Sequence, residues 1–258
     1  MPLLPPKQRI RAAFDRAAAS YDAAAVLQRK VCELLLAGLE LPTPTSAPAI
    51  LDAGCGTGYG TRLLRARWPA AHLSIADFAP AMLDLAREAA DACHETDIEA
   101  LPFAGPDFDL WWSSLSIQWC AADRVFSEAA RVLRPQGRLA VSTLGPGTFR
   151  QLRNAFSAVD RYRHTLPFSA PDTIAEALRG AGFSGIALHR ETLTLHYPDL
   201  KTLLRAVKAI GANAIGEGAR SGMMGRTAWQ ALEAAYEKQR TAAGLPASYD
   251  VILAYAER

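Results

Sequence analysis

The sequence of 258 residues lacks the features of membrane, secreted and metal-binding proteins. No apolar run approaches the roughly 20 residues that a membrane-spanning helix requires, and the start has neither the basic nor the long apolar region of a secretory signal. The 4 cysteines are widely spaced without a Cys-x-x-Cys pair, and the 5 histidines show no metal-ligand spacing. We therefore expect no disulfide framework, no metal site and no membrane partner, and we predict a location in the reducing cytoplasm.

The sequence also has little net charge. Its formal charge is only +2, which offers little neutralisation of phosphates, so nucleic acid is not an expected partner. With 50% hydrophobic and 21% charged residues, the chain can bury a full core. We expect a single domain over residues 1–258.

Strand and helix patterns alternate along the chain. Two helices are predicted over residues 7–40 with a break near Ser20, and a linker rich in proline and threonine follows at 42–48. The predicted strands are residues 49–53, 72–76, 93–96, 108–113, 138–143, 186–196 and 249–255. The other predicted helices are residues 59–67, a helix from Pro80, and residues 122–133, 172–180, 199–210 and 226–243. This alternation predicts an α/β fold with a parallel sheet covered by helices on both faces.

A glycine-rich segment after the first predicted strand is the most informative part of the sequence. An apolar run ends in Asp52, and glycines at positions 54, 56, 58 and 60 lead into a helix. Glycine permits positive φ and the close approach of a ligand, and a helix N-terminus attracts a negatively charged ligand group. In the dinucleotide fingerprint the third glycine would fall on Tyr59, and Asp52 would repel a pyrophosphate but attract a cationic amino-acid group. The spacing therefore disfavours a nicotinamide oxidoreductase, which stays open as an alternative.

Further polar residues follow or close the next strands. Asp77 ends the second predicted strand about 20 residues beyond the glycine turn, where an acid can accept from both ribose hydroxyls. Its alternative role is to cap the next helix. Because ligands of such sheets bind at the carboxyl ends of the strands, we expect Asp52, Asp77, Asp97 and Ser113 to line one edge.

Three motifs resemble those of class I S-adenosylmethionine-dependent methyltransferases: the glycine segment, residues 76–83 and residues 96–103. The resemblance covers residues 49–145 and implies S-adenosylmethionine as cofactor. It also implies a seven-stranded Rossmann-like sheet whose last strand is antiparallel. Asp97 would accept from the adenine amino group, the Ile98 N–H would donate to a ring nitrogen, and Tyr21 would either close over the methionine end or only pack between helices. The expected cofactor-binding residues are Tyr21, Asp52, Gly54, Cys55, Gly56, Gly58, Asp77, Phe78, Met82, Asp97, Ile98 and Ser113.

Four other segments are similar to the malonyl-carrier-protein O-methyltransferase family of biotin synthesis. They are residues 14–22 followed by Gln28, residues 113–120, residues 204–213 and residues 222–226. This resemblance implies an enzyme that methylates the free carboxylate of a malonyl thioester, carried by acyl-carrier protein or by coenzyme A. The methyl ester would mask the charge so that fatty-acid enzymes can elongate the chain.

The loop after the fourth predicted strand fits such an acceptor. A carboxylate has a reference pKa of about 4 and is already the nucleophile at neutral pH, so no general base is required. We find no His, Lys or Cys poised as a base in this loop. Transfer from a sulfonium to a carboxylate removes charge, so a dry apolar site helps. We predict that the Gln118 amide and the Trp119 indole N–H hold the carboxylate; alternatively, Trp119 belongs to the core and Gln118 to a solvated loop.

The cofactor-binding core of 49–145 is predicted to lie under a cap. The cap would consist of the N-terminal helices at 7–40 and an insert at 146–230, while 231–258 supply the last helix and strand. Residues 150–226 carry 11 Lys and Arg against 6 Asp and Glu, a net charge of +5, whereas the remainder carries −3. This asymmetry suits electrostatic steering of an acidic carrier protein to a monomeric enzyme. The expected docking residues are Arg153, Arg205, Lys208 and Arg226.

Two further interpretations stay open. One is a methyltransferase of a free small carboxylic acid, or of a quinone- or sterol-like acceptor. The other is a cofactor-binding protein without catalysis, such as a regulator, which intact cofactor motifs alone do not exclude.

Overall fold

The architecture is a seven-stranded sheet covered by helices, in a computed structural model that describes residues 4–40, 47–212, 222 and 224–258. The strands are β1 (Ala49–Ala53), β2 (His72–Asp77), β3 (Ala92–Glu95), β4 (Phe108–Ser114), β5 (Leu133–Leu144), β6 (Ser184–Tyr197) and β7 (Leu245–Glu257). Their order is β3-β2-β1-β4-β5-β7-β6. Strand β7 is antiparallel to β5 and β6, whereas the other pairs are parallel. The predicted fold class, including the antiparallel last strand, is confirmed.

Helices precede, connect and follow these strands. They are α1 (Lys7–Ala24), α2 (Val26–Ala37), α3 (Tyr59–Arg67), α4 (Pro80–Ala86), α5 (Ala122–Val132), α6 (Arg150–Ser157), α7 (Pro171–Gly180), α8 (Leu200–Ala209) and α9 (Arg226–Glu237). Short 3₁₀ turns occupy Arg87–Ala89 and Ile117–Trp119. Within the described residues, no helix combines the length and the apolar character that crossing a membrane requires.

The central strands bury both faces, as the alternation of their side chains shows. Along β4, Leu110 and Trp112 pack into the core that contains α2, while Trp111 packs into the core that contains α5. Along β1, Ile50 and Leu51 divide in the same way. Successive side chains of a strand point to opposite faces, so helices must cover both. This layering leaves the carboxyl ends of β1, β2 and β4 as the accessible edge.

Some of the segments predicted as a cap cover the sheet edge, whereas others belong to the sheet and its covering helices. Helix α1 contacts α4 and α8 above the sheet edge. Within residues 146–230, however, α7 packs on α5 and β6 forms the outer strand of the sheet. Only part of this insert therefore covers the site. Most of the predicted linker, residues 42–46, lies outside the described residues.

Two predictions of local structure are wrong. The N-terminal helices do not break near Ser20: α1 continues to Ala24 and the break is at Ala25. The Ser20 hydroxyl donates to the Ala17 carbonyl at 3.2 Å, one turn back, which lets a serine remain inside a helix. The second error is the omission of α6, whose buried Leu152 and Phe156 lie at helical spacing.

Candidate functional site

A cleft of about 960 Å³, counting the part open to solvent, lies at the carboxyl ends of β1, β2 and β4, and we call it the strand-edge cavity. Strands β1 and β2 present their acids here because Asp77 is the last residue of β2 and Asp52 is the last but one of β1. Most of the predicted cofactor-binding residues line it, together with Trp119. These are Tyr21, Asp52, Gly54, Cys55, Gly56, Asp77, Phe78, Met82, Asp97 and Ile98.

The glycine loop forms one wall of the strand-edge cavity. Gly56 has a φ of 54°, and no atom lies within 4 Å of the position that a Cβ would take, so its backbone faces open space. Its N–H donates to the Asp77 carboxylate at 2.9 Å. Gly58 has a φ of 82° just before α3, and a Cβ there would lie 2.8 Å from the Cβ of Ala86. Gly58 therefore permits the turn and the close packing of α4, and it does not line the cavity.

Two buried carboxyl groups give this wall its electrostatic character. Burial raises the pKa of Asp52 to about 7, against the opposing effect of the Thr61 hydroxyl, which donates to Asp52 at 2.7 Å. Burial also raises the pKa of Asp77 to about 6, although the N–H groups of Ala79 and Gly56 donate to its two oxygens. A bound cation would favour ionisation of both groups.

Asp97 is held at the opposite end of the strand-edge cavity. The Lys7 ammonium from α1 lies 2.9 Å from Asp97 Oδ1 and 2.6 Å from Glu99 Oε1. Atoms of Asp97, Glu99 and Cys120 lie within 4.8 Å of one another, a spacing that suits a metal ion, but Lys7 supplies a positive charge there. The second oxygen of Asp97 remains for another donor, such as the predicted adenine amino group.

Besides Gly58, two predicted site residues lie outside this lining, Ser113 and Gln118. Ser113 is fully buried in the sheet, and its hydroxyl has no hydrogen-bond partner among the described residues. The next residue, Ser114, lines the cavity instead. Gln118 lines a neighbouring cavity, where its amide donates to the Leu115 carbonyl at 2.6 Å.

The neighbouring cavity of about 1060 Å³, again counting space open to solvent, is mostly apolar, and we call it the apolar cavity. Much of its wall comes from residues after β5, such as Phe149, Leu152 and Phe156, and from Leu204 and Val207 of α8. It shares with the strand-edge cavity the residues Phe14, Tyr21, Gln28, Leu115 and Trp119. A group in one cavity can therefore meet a group in the other at this junction.

The polar groups at the junction are neutral donors and acceptors. Burial raises the pKa of Tyr21 well above its usual value, so its hydroxyl stays protonated. The side-chain oxygen of Gln28 is buried without a hydrogen-bond partner. Trp119 is 7% exposed and packs edge-on against Phe14, with ring centroids 5.5 Å apart. Among the described residues that line the apolar cavity, none is Asp, Glu, Lys or Arg.

Sequence reasoning missed several residues that line these cavities. Lys7, Asp22 and Arg29 reach the strand-edge cavity from the N-terminal helices. His164 reaches the apolar cavity from the segment after α6; its Nε2 lies 2.7 Å from Asp160 Oδ1 and its ring stacks on Phe156. The helical spacing of apolar residues in α6 could have predicted this helix, which contributes Leu152 and Phe156 to the apolar cavity. No local pattern places the others at the site, since they come from distant segments.

The predicted docking residues divide into two groups. Arg205 and Lys208 are exposed on α8, whose other face lines the apolar cavity, and Arg226 is exposed at the start of α9. Arg153 is only partly exposed, because its guanidinium turns inward and donates to the Pro146 carbonyl at 2.6 Å.

Comparisons with known proteins identify a methyltransferase domain and fold. Residues 50–137 match a family model described as a methyltransferase domain. A Haemonchus contortus phosphoethanolamine N-methyltransferase 2, solved with S-adenosyl-L-methionine, is similar in fold with a TM-score of 0.57 at 17% identity. That likeness covers 95% of this chain and 57% of the other.

Two curated relatives match nearly the whole chain. The malonyl-[acyl-carrier protein] O-methyltransferase of Dechloromonas aromatica is 49% identical, over 98% of this chain and 95% of that protein. The biotin biosynthesis bifunctional protein BioHC of Cellvibrio japonicus is 42% identical, over 95% of this chain and 49% of that longer protein. Because this identity extends over nearly its full length, the chain belongs to the family of malonyl-[acyl-carrier protein] O-methyltransferases.

Proposed function

We propose that this enzyme transfers a methyl group from S-adenosylmethionine to the free carboxylate of a malonyl thioester on acyl-carrier protein, forming the methyl ester that starts pimeloyl synthesis for biotin. The observation that carries the proposal is the junction of the two cavities, lined by Leu115 and Trp119 among others. It brings an acid-lined pocket beside an apolar pocket whose described lining contains no Asp, Glu, Lys or Arg. The names of the relatives support the choice of acceptor.

The strand-edge cavity fits S-adenosylmethionine, which supplies an electrophilic methyl group on a sulfonium. Each oxygen of Asp77 accepts one backbone N–H and keeps a lone pair for a ribose hydroxyl. The open space beside Gly56 admits the ligand against the backbone. At the other end, Asp22 and Arg29 offer opposite charges to an ammonium and a carboxylate.

The apolar cavity fits a malonyl group whose carboxylate points to the junction. A carboxylate is ionised at neutral pH and needs no base. Cys32 and Cys120 line the neighbouring strand-edge cavity, and burial raises the pKa of their thiols to about 12, so neither is a thiolate at neutral pH. Neutral donors such as the Trp119 indole orient the acceptor without neutralising it, and the dry wall favours a reaction in which charge disappears.

The acidic carrier protein would dock on the positive outer face of α8. Arg205 and Lys208 are exposed there, on the helix whose other side lines the apolar cavity. A cytoplasmic location is part of this proposal, and the thiols of Cys32, Cys55, Cys93 and Cys120 are all unpaired, as a reducing compartment allows.

The proposal is tested with purified enzyme, S-adenosylmethionine and a panel of acceptors. Mass spectrometry should show one added methyl group on malonyl-acyl-carrier protein and none on free malonate or a quinone. Methylation of free acids alone, or of a quinone alone, would assign the other acceptor classes. Loss of methyl transfer without loss of S-adenosylmethionine binding is expected for Gln118→Ala, whereas Asp77→Asn should mainly weaken that binding.

A further inference from the structure

A shallow groove of about 590 Å³, counting space open to solvent, adjoins the apolar cavity, and we call it the arginine groove. It shares Thr165, Leu166 and Phe168 with the apolar cavity. Its remaining wall includes Arg153 and Arg163. A continuous lining thus leads from the junction beside the strand-edge cavity, through the apolar cavity, to two guanidinium groups.

The two arginines of this groove lack an acidic partner in the part of the chain that the structure describes. Arg153 donates to the carbonyls of Pro146 and Thr148, which carry no charge. Arg163 has a buried Nη1 with no hydrogen-bond partner. Neither arginine takes part in the ion pairs found among the described residues, and no carboxylate lines the groove there.

An anion would satisfy both groups. A buried guanidinium N–H without an acceptor, such as Nη1 of Arg163, is costly. Arg153 is only partly exposed, and desolvation lowers its pKa. Arginine pairs with carboxylates and phosphates through two parallel N–H donors. A phosphate group has more acceptor oxygens than a carboxylate, so it can accept from both arginines of one groove at once.

The position of the arginine groove indicates which molecule carries the phosphate. An acyl-carrier protein presents its acyl group on a pantetheine thioester whose far end is a phosphodiester. With the malonyl carboxylate at the junction near Trp119, the thioester and the apolar part of the arm occupy the apolar cavity, and the phosphate emerges beyond Thr165 and Phe168. We infer that Arg153 and Arg163 form the subsite for the phosphate of the carrier's phosphopantetheine arm, an inference that rests on the proposed function.

The test compares two small substrates that differ only in this phosphate: malonyl-pantetheine and malonyl-4′-phosphopantetheine. The native enzyme should use the phosphorylated substrate with a higher kcat/KM. Arg163→Gln should lower kcat/KM for that substrate about tenfold, as expected for a lost charged hydrogen bond, and leave malonyl-pantetheine unchanged. Arg161→Gln, an exposed neighbour outside the groove lining, is the matched control and should change neither value.

Several outcomes would overturn the inference. One is equal use of both substrates by the native enzyme; another is an equal loss on both substrates in Arg163→Gln, which would indicate packing. Calorimetry with 4′-phosphopantetheine provides a readout without turnover: the native enzyme should bind it and Arg163→Gln should bind it at least about tenfold more weakly. If no malonyl thioester is methylated but this difference in binding persists, the proposed function fails and the phosphate subsite stands.

A preference for malonyl-coenzyme A over malonyl-acyl-carrier protein in the native enzyme would contradict the inference, because the bound phosphate would then belong to coenzyme A and not to the carrier. We expect the carrier to be preferred. Arg153→Gln provides a second variant on the same groove, and its loss should again be confined to substrates that carry the phosphate. Retained binding of S-adenosylhomocysteine by each variant establishes that it is folded.

Discussion

At the scale of single residues, the buried carboxyl of Asp52 makes the stability of the ligand-free protein depend on pH. Burial raises its pKa to about 7, while in the unfolded chain an aspartate titrates near pH ~4. Between these values the native state holds more protons than the unfolded state, so the free energy of unfolding falls as the pH rises. Asp77, with a pKa of about 6, acts in the same direction.

We expect Asp52→Asn to remove this part of the pH dependence. Asparagine keeps the acceptor for Thr61 but does not titrate. Between pH ~5 and ~8, the free energy of unfolding of the native protein should fall relative to that of the variant by at least about 1.4 kcal/mol, the equivalent of one pKa unit. Denaturant unfolding at both pH values measures it.

The comparison with the variant is needed because other groups titrate in this range. Burial lowers the pKa of His94, which makes stability rise with pH and so opposes Asp52. Asp84→Asn, an exposed acid on α4, is the control and should run parallel to the native protein. Parallel curves for Asp52→Asn and the native protein would contradict the buried, protonated carboxyl.

Residues within one short motif were predictable from the sequence, and residues brought in from elsewhere were not. The glycine loop, Asp52 and Asp77 lie together because one strand–turn–helix unit and its neighbour fix their spacing. Lys7 and Arg163 reach their sites through tertiary packing, so no window of sequence contains both the residue and its partner. Ser113 shows the opposite failure: it is the last residue but one of the expected strand, β4, and the alternation of side chains along that strand turns it into the core.

At the scale of elements, α1 is fastened to the end of the strand-edge cavity where adenine is expected. Lys7 pairs with Asp97 and Glu99, and one turn later Arg11 pairs with Glu95 at 2.6 Å. The helix contributes Phe14 and Tyr21 to the same cavity. The pairs therefore hold a wall of the cavity that is not part of the sheet.

We expect Lys7→Gln to weaken this wall and to speed the release of S-adenosylhomocysteine about fivefold, since a partly exposed ion pair contributes about 1 kcal/mol. Stopped-flow displacement measures the release rate. Arg9→Gln, an exposed residue on the same helix, should leave it unchanged. High salt should accelerate release from the native protein and change the Lys7→Gln variant less; an identical response of both would argue against the ion pairs.

The elements that were predicted well are those with a strong local signal. Strand β1 and helix α3 begin and end as predicted, because an apolar run, glycines and the following proline mark their limits. Helix α6 has weaker limits: it follows Phe149 at a φ of 55° and has no side-chain cap. The end of α1 was misplaced because Ser20 also donates to the Ala209 carbonyl at 3.1 Å, a contact with α8 that stabilises the longer helix.

At the scale of the whole molecule, the distribution of charge along the chain matches the ligand expected in each cavity. Residues 150–226 carry a net charge of +5 and include the exposed outer face of α8, whereas the rest of the chain carries −3. The acids of the strand-edge cavity belong to the negative part and would receive the cationic donor. The positive part covers the apolar cavity and would receive the anionic carrier. The long-range field can thus direct two different ligands to neighbouring cavities.

This arrangement predicts that the carrier, but not a small thioester, is steered by charge. Reversing two charges on α8 (Arg205→Glu with Lys208→Glu) should lower kcat/KM for malonyl-acyl-carrier protein about tenfold or more at low salt, within the range of electrostatic steering. It should leave malonyl-pantetheine unchanged, because that substrate does not contact the outer face of α8. Raising the ionic strength should reduce the difference between the native enzyme and the variant.

The same charge change outside residues 150–226, at Lys30 and Arg67, should have little effect on either substrate. A loss of the same size for both pairs would show that net charge, and not a docking face on α8, governs the encounter.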